Sequence, residues 1–158
     1  MILVTLGTQD RPFTRLLDAV QAQIDKGTIK ERVVVQAGHT PYESKDMELF
    51  DLIPLEDFDK LMKEADLIIT HGGVASIVTG MKHHKKVIAA ARLAKYGEHT
   101  NDHQLQILEN LSKAGYILVL EDFDKLDERI EQAKTMKPKP YKSNTKHMMK
   151  IIEDFIDK

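Results

Sequence analysis

The sequence predicts an α/β domain built on a doubly wound parallel sheet of about six strands. Short apolar runs alternate with longer stretches whose apolar residues recur at helical spacing. The short runs are apolar throughout rather than every second residue, the pattern of strands covered on both faces. The chain has 158 residues, enough for one good core and too few for two.

Ile2 to Leu6 reads as the first strand, ended by Gly7. Pro12 sits where a helix can start, and Phe13, Leu16, Leu17, Val20 and Ile24 follow at helical spacing. Arg32 to Ala37 is a second strand closed by Gly38, and Leu49 to Pro54 a short third. Phe58, Leu61, Met62 and Ala65 mark a short helix. Asp66 to Thr70 is the fourth strand, followed by His71-Gly72-Gly73 and a helix to about Lys82. Lys86 to Ala91 is the fifth strand, and Arg92 to Asn101 a polar loop. Leu105, Leu108 and Leu111 lead a helix to Ala114, stopped by Gly115. Tyr116 to Leu120 is the sixth strand, and Leu126, Ile130 and Ala133 mark another helix. Residues 1–136 form the expected domain. Residues 137–158 are the Lys137-Pro138-Lys139-Pro140 linker and a last helix from Asn144 to Ile156, placed either to close the core or to dock on a partner.

Composition narrows the function classes. The net charge of -2 gives no basic field to gather nucleic acid. Cysteine is absent, which excludes disulfides and thiolate-held metals and fits a reducing compartment. The apolar N-terminus lacks a basic region and a small-residue cleavage site, and no apolar run approaches the roughly 18 residues of a membrane span. A soluble cytoplasmic protein is expected, held at a membrane only through another subunit.

Ligands bind parallel sheets beyond the carboxyl ends of the strands, so the residues after each strand carry the functional reading. Gly7-Thr8-Gln9-Asp10 follows strand one. His71-Gly72-Gly73-Val74-Ala75-Ser76 follows strand four, where two glycines let main chain approach a ligand. The free amides and positive dipole of the helix start suit a diphosphate, with Ser76 and His71 as further donors. A tight strand-to-helix turn with no ligand accounts for the two glycines equally well. Neither a dinucleotide fingerprint nor a P-loop is present. After strand five, Lys95 to Gln104 is dense in side chains able to read sugar hydroxyls, although Thr100 or Asn101 can also serve as a plain helix cap. His99 and His103 are spaced as two zinc ligands can be, without HExxH or a cysteine to complete a site. His39 is placed to reach the strand-end rim. His83, His84 and His147 read as surface residues, and Met148 and Met149 as packing.

Taken together, Gly7-Thr8, the run Ala65 to Ile77 with its His71-Gly72-Gly73-x-x-Ser76, and Gly97-Glu98-His99-x-Asn101-Asp102-His103-Gln104 resemble the C-terminal domain of family 28 glycosyltransferases. They are similar to the single-domain bacterial subunits of exopolysaccharide and capsule synthesis, and to the catalytic subunit of the two-piece dolichol-linked N-acetylglucosaminyltransferase. The resemblance spans about residues 1–120. It implies a Rossmann-like C-terminal half of a GT-B enzyme. It also implies metal-independent transfer of a hexose from a UDP-sugar to a lipid-linked saccharide acceptor, with no cofactor. On it, Gly72, Gly73 and Ser76 hold the diphosphate with His71 beside them, and Asp102, His103 and Gln104 face the sugar. Gly7 and Thr8 lie near the diphosphate and acceptor. A membrane-anchored α/β partner supplies the other half, placing the pair at the inner face of the plasma membrane.

Two positions depart from the family pattern. Ala75 stands where glycine is common, and Thr79 where a glutamate grips the ribose; Thr79 keeps one hydrogen bond of that grip. No general base stands out, Asp10 being the one candidate near the acceptor side. Thr79 leaves open a second reading, a non-catalytic accessory subunit that enhances a partner glycosyltransferase. A zinc hydrolase on His99 and His103 is a third.

Overall fold

A computed structural model describes residues 1–7, 12–71, 74–90 and 103–138. The elements are β1 (Ile2–Thr5), α1 (Thr14–Asp25), β2 (Val33–Gln36), β3 (Glu48–Phe50), α2 (Leu55–Glu64), β4 (Leu67–His71), α3 (Val74–Lys82), β5 (Lys86–Ala90), α4 (His103–Lys113), β6 (Leu118–Leu120) and α5 (Leu126–Thr135). A single 3-10 turn, Phe123–Lys125, precedes α5. All six strands run parallel in the order β3-β2-β1-β4-β5-β6. This is the doubly wound sheet expected, and its order reverses between β1 and β4, where a crevice opens at the strand ends.

The continuous apolar runs are explained by burial on both faces. Ile2, Val4, Val33, Val35, Ile69 and Ile88 pack with Leu16, Leu17 and Val20 of α1 and Leu126 and Ile130 of α5. On the opposite face Leu3, Val34, Ile68 and Val87 meet Met62 of α2, Ile77 and Met81 of α3, and Leu108 and Leu111 of α4. Each fully buried aliphatic side chain contributes about 1.5–3 kcal/mol, so the central strands anchor the domain. Gly80 lets α3 lie close to the sheet: a Cβ there would sit 3.0 Å from Val87 Cγ2 and 3.3 Å from Ile68 Cδ1.

Several strands are shorter than expected from the sequence, and two of the boundary differences bear on the strand-end rim. The third strand is Glu48–Phe50 rather than Leu49 to Pro54, and α2 begins at Leu55. Pro54 stands at the helix N-cap and its carbonyl accepts from Asp57 and Phe58 at 3.0 and 3.1 Å. Residues 51–54 are therefore a short crossover, and their apolar side chains are not strand residues. The fourth strand extends one residue further than expected, because His71 pairs with Ala90 of β5. The linker beyond Pro138 and the last helix lie outside the described residues.

Candidate functional site

The last rung of the sheet changes chemistry. Thr5 of β1 stands in register with Gln36 of β2 and Thr70 of β4. All three are buried, at 1%, 5% and 0% exposure, where the rungs below them are aliphatic. A buried polar row has to be hydrogen-bonded or it destabilises the fold. Gln36 meets this condition completely. Its Oε1 accepts from Thr5 Oγ1 at 2.8 Å and from the Gly7 amide at 3.1 Å, while its Nε2 donates to the carbonyls of Gly7 at 3.0 Å and Asp51 at 3.1 Å. Thr70 Oγ1 has no hydrogen-bond partner among the described residues.

Beyond this row the ends of β2, β1 and β4 approach closely. Gly7 has φ +75, and a Cβ there would fall 2.5 Å from His71 Nε2. Gly38 has φ +59, and a Cβ there would fall 2.4 Å from the Gly7 carbonyl oxygen. Both positions need glycine, for the positive φ and for the space. His71 is buried at 6% exposure and forms one side of this contact.

A cavity of about 230 Å³ opens on the α2–α3 side of the rim. Its polar part is Thr5, Gly7, Gln36 and Ser76, and its apolar wall is Leu52, Ile53, Leu55 and Phe58. Leu52 and Leu55 are the large apolar side chains exposed among the described residues, at 56% and 78%. Exposed apolar residues beside a few polar groups mark a binding site more often than chance surface. No ionisable side chain is among the described residues of the lining, so this part of the site selects by shape and hydrogen bonding rather than charge. The volume is below the ~300 Å³ at which pockets for whole small molecules begin, so the cavity suits a part of a larger ligand.

The structure thus brings Gly7 and Ser76, read separately from the sequence, to one cavity. His71 stands against Gly7. Thr79 is half-buried on α3, three residues past Ser76, and does not line the cavity. Thr8, Asp10, Gly72, Gly73, His99 and Asp102 lie outside the described residues. His103 and Gln104 open α4, and their side chains, with the pairing of His99 and His103 read as a zinc site, lie outside the described residues. Sequence reasoning missed Thr5, Gln36 and the leucine wall. The available signal was a polar Gln36 closing the apolar run Val33-Val34-Val35.

A doubly wound sheet with a cleft at its topological switch defines an α/β domain of the kind that takes ligands beyond the carboxyl ends of its strands. The chain belongs to the glycosyltransferase family 28 C-terminal domain, which it matches over residues 1–158. No curated protein sequence matches it closely. Among solved structures it is similar to ALG13 determined by NMR, with a TM-score of 0.62 at 18% identity, covering 96% of this chain and 93% of that one. CalG4, the calicheamicin glycosyltransferase, has a TM-score of 0.62 at 17% identity, covering 99% of this chain and 38% of that one. SnogD, a glycosyltransferase from Streptomyces nogalater, has a TM-score of 0.56 at 14% identity, covering 99% of this chain and 39% of that one. The chain therefore corresponds in fold to one half of a GT-B enzyme and spans about two-fifths of those longer chains. No helix among the described residues is long and apolar enough to cross a membrane.

Proposed function

We propose that this chain is the donor half of a UDP-sugar-dependent hexosyltransferase, acting on a lipid-linked acceptor in exopolysaccharide or capsule synthesis. The observation that carries the reading is the cavity shared by Gly7 and Ser76 at the carboxyl ends of β1 and β4. Its apolar wall of Leu55 and Phe58 suits the flat face of a uracil ring, and Ser76, in the polar part of the lining, supplies a hydroxyl donor to the diphosphate. α3 starts at Val74, directly after Gly72-Gly73, and the first-turn amides and positive end of a helix suit a diphosphate there. The same charge distribution stabilises UDP as it leaves, without calling on a metal. Asp102, His103 and Gln104 read the hexose.

The acceptor site belongs to a second, membrane-associated α/β subunit. The ALG13-like fold supports this reading. Residues 137–158 are the proposed docking element. The described lining of the cavity holds no ionisable side chain, and the general base is assigned to Asp10 or to the partner.

An NMR titration with UDP tests the donor assignment. The amide signals of Gly7, Leu55, Phe58 and Ser76 are expected to move, and Ser76→Ala to weaken binding. Saturating UDP that leaves those signals in place would sink the reading. Thr79, standing where the family carries glutamate, favours a second reading as a non-catalytic enhancer. Unchanged turnover of the reconstituted pair with Ser76→Ala would select it.

A further inference from the structure

The Gln36 amide uses all of its hydrogen-bonding capacity on segments that frame the cavity. Its two accepted bonds come from β1 and the Gly7 amide, and its two donated bonds go to the Gly7 and Asp51 carbonyls. One side chain therefore binds both main-chain polar groups of Gly7, a residue whose φ of +75 takes it out of the strand ladder. The same side chain holds Asp51, the first residue of the crossover that carries Leu52, Ile53 and Leu55 into the wall. The Asp51 carbonyl also accepts from the Gly38 amide, at 2.9 Å.

We propose that Gln36 is the positioning residue of this site, a clamp that sets the separation of the Gly7 turn from the Asp51–Leu55 wall and hence the width of the cavity. This rests on the reading that the cavity receives the donor nucleotide. Filling space does not explain the residue. The other positions of β2 are Val33, Val34 and Val35, and an aliphatic side chain would fill the same volume without the desolvation of a primary amide. Length and chemistry are both specified. Asparagine is one methylene short of three separate segments, and a carboxylate offers no donor to two carbonyls.

Amide hydrogen exchange and UDP titration calorimetry on the full chain test the proposal with Gln36→Met and Gln36→Glu. Methionine keeps the length and makes none of the four bonds. In that variant the Gly7 amide is expected to exchange at least about tenfold faster, while Leu3, Val34 and Ile68 stay within about twofold. UDP binding is expected to weaken about tenfold. Glutamate keeps both accepted bonds and loses both donated ones, so Gly7 stays protected while the Leu52 and Ile53 signals shift. A residue that only fills the core would disturb both segments alike. If the methionine variant unfolds, the glutamate variant decides on that split. Gly7 exchange unchanged in Gln36→Met, or a loosened Gly7 with undiminished UDP affinity, overturns the proposal. A wild-type chain that binds no UDP overturns the donor reading instead, and the exchange arm still decides whether Gln36 holds the two segments.

Discussion

The two rims of the sheet are built from different interactions. At the amino-terminal rim, ends are tied by exposed charges. Arg32 pairs with Glu48, and the Met1 amine lies 2.6 Å from Asp66. Lys85 and Lys86 donate to the carbonyls of Lys63 and Lys134 in the last turns of α2 and α5. These contacts are screened, tolerant of geometry and individually weak. The carboxyl-terminal rim instead uses buried amides and glycine-only approaches, with Gln36 satisfied on every side and Gly38 against the Gly7 carbonyl. There a displacement of less than an ångström weakens bonds whose donors and acceptors are held at fixed positions. The difference teaches where precision is required: one rim holds the fold together, and the other holds a shape.

The largest effect expected on this contrast comes from Gly38→Ala. A Cβ placed 2.4 Å from a backbone oxygen cannot be relieved by a side-chain rotation. Left-handed strain of about 1–2 kcal/mol adds to overpacking of about 1–3 kcal/mol, so urea unfolding should register a loss of roughly 2–5 kcal/mol. Gly27→Ala is the control, since its φ is +83 but nothing lies within 4 Å of the added carbon. It should lose only the strain, about 1–2 kcal/mol. Equal losses at the two glycines would remove the distinction between the rims.

Leu55→Ala sharpens the contrast from the other side. Leu55 is 78% exposed, so its truncation should change stability by no more than about 0.5 kcal/mol. UDP affinity should nevertheless fall severalfold, because the lost surface is cavity wall. A parallel loss of stability would mean that Leu55 serves packing rather than binding.

The fold was legible because it rests on local patterns. A run such as Val33-Val34-Val35 announces a strand buried on both faces without knowledge of its neighbours. The candidate site was legible where its residues lie just after strands, as at Gly7 and Ser76, which share one cavity. Gln36 was not, because its meaning lies in partners 31, 29 and 15 residues away, at Thr5, Gly7 and Asp51. The apolar wall was misassigned for a related reason. Leu52 and Ile53 have strand-like composition, and only their position after β3 shows that they serve a cavity. Hydrophobicity alone does not distinguish a residue buried by the protein from one that a ligand would cover.

Titration gives the smaller effects. Tyr42, in the segment after β2, is pushed up to about 12 by burial and by donating its hydroxyl to Asp18 at 2.9 Å. Its neutral form is favoured by folding, so its contribution is complete below about pH 10 and is lost as pH rises toward 12. Ultraviolet absorbance titration should show a late phenol transition that disappears in Tyr42→Phe and moves earlier in Asp18→Asn. A Tyr42 transition at the ordinary tyrosine value would show the phenol to be solvated.

The smallest effect belongs to the opposite rim. Glu48 is held below the usual carboxylate range by its hydrogen bond from Arg32, and the sign is reversed. Its contribution is present above the ordinary carboxylate value and is lost as pH falls through the lowered one. Both partners are 56% exposed, so solvent screens most of it. Glu48→Gln should flatten the acid limb of stability only slightly, and molar salt should erase the difference from wild type. Gln36→Met should lose as much at high salt as at low salt, because the bonds of Gln36 join uncharged groups. If salt erased both effects, the two rims would be held by the same kind of force.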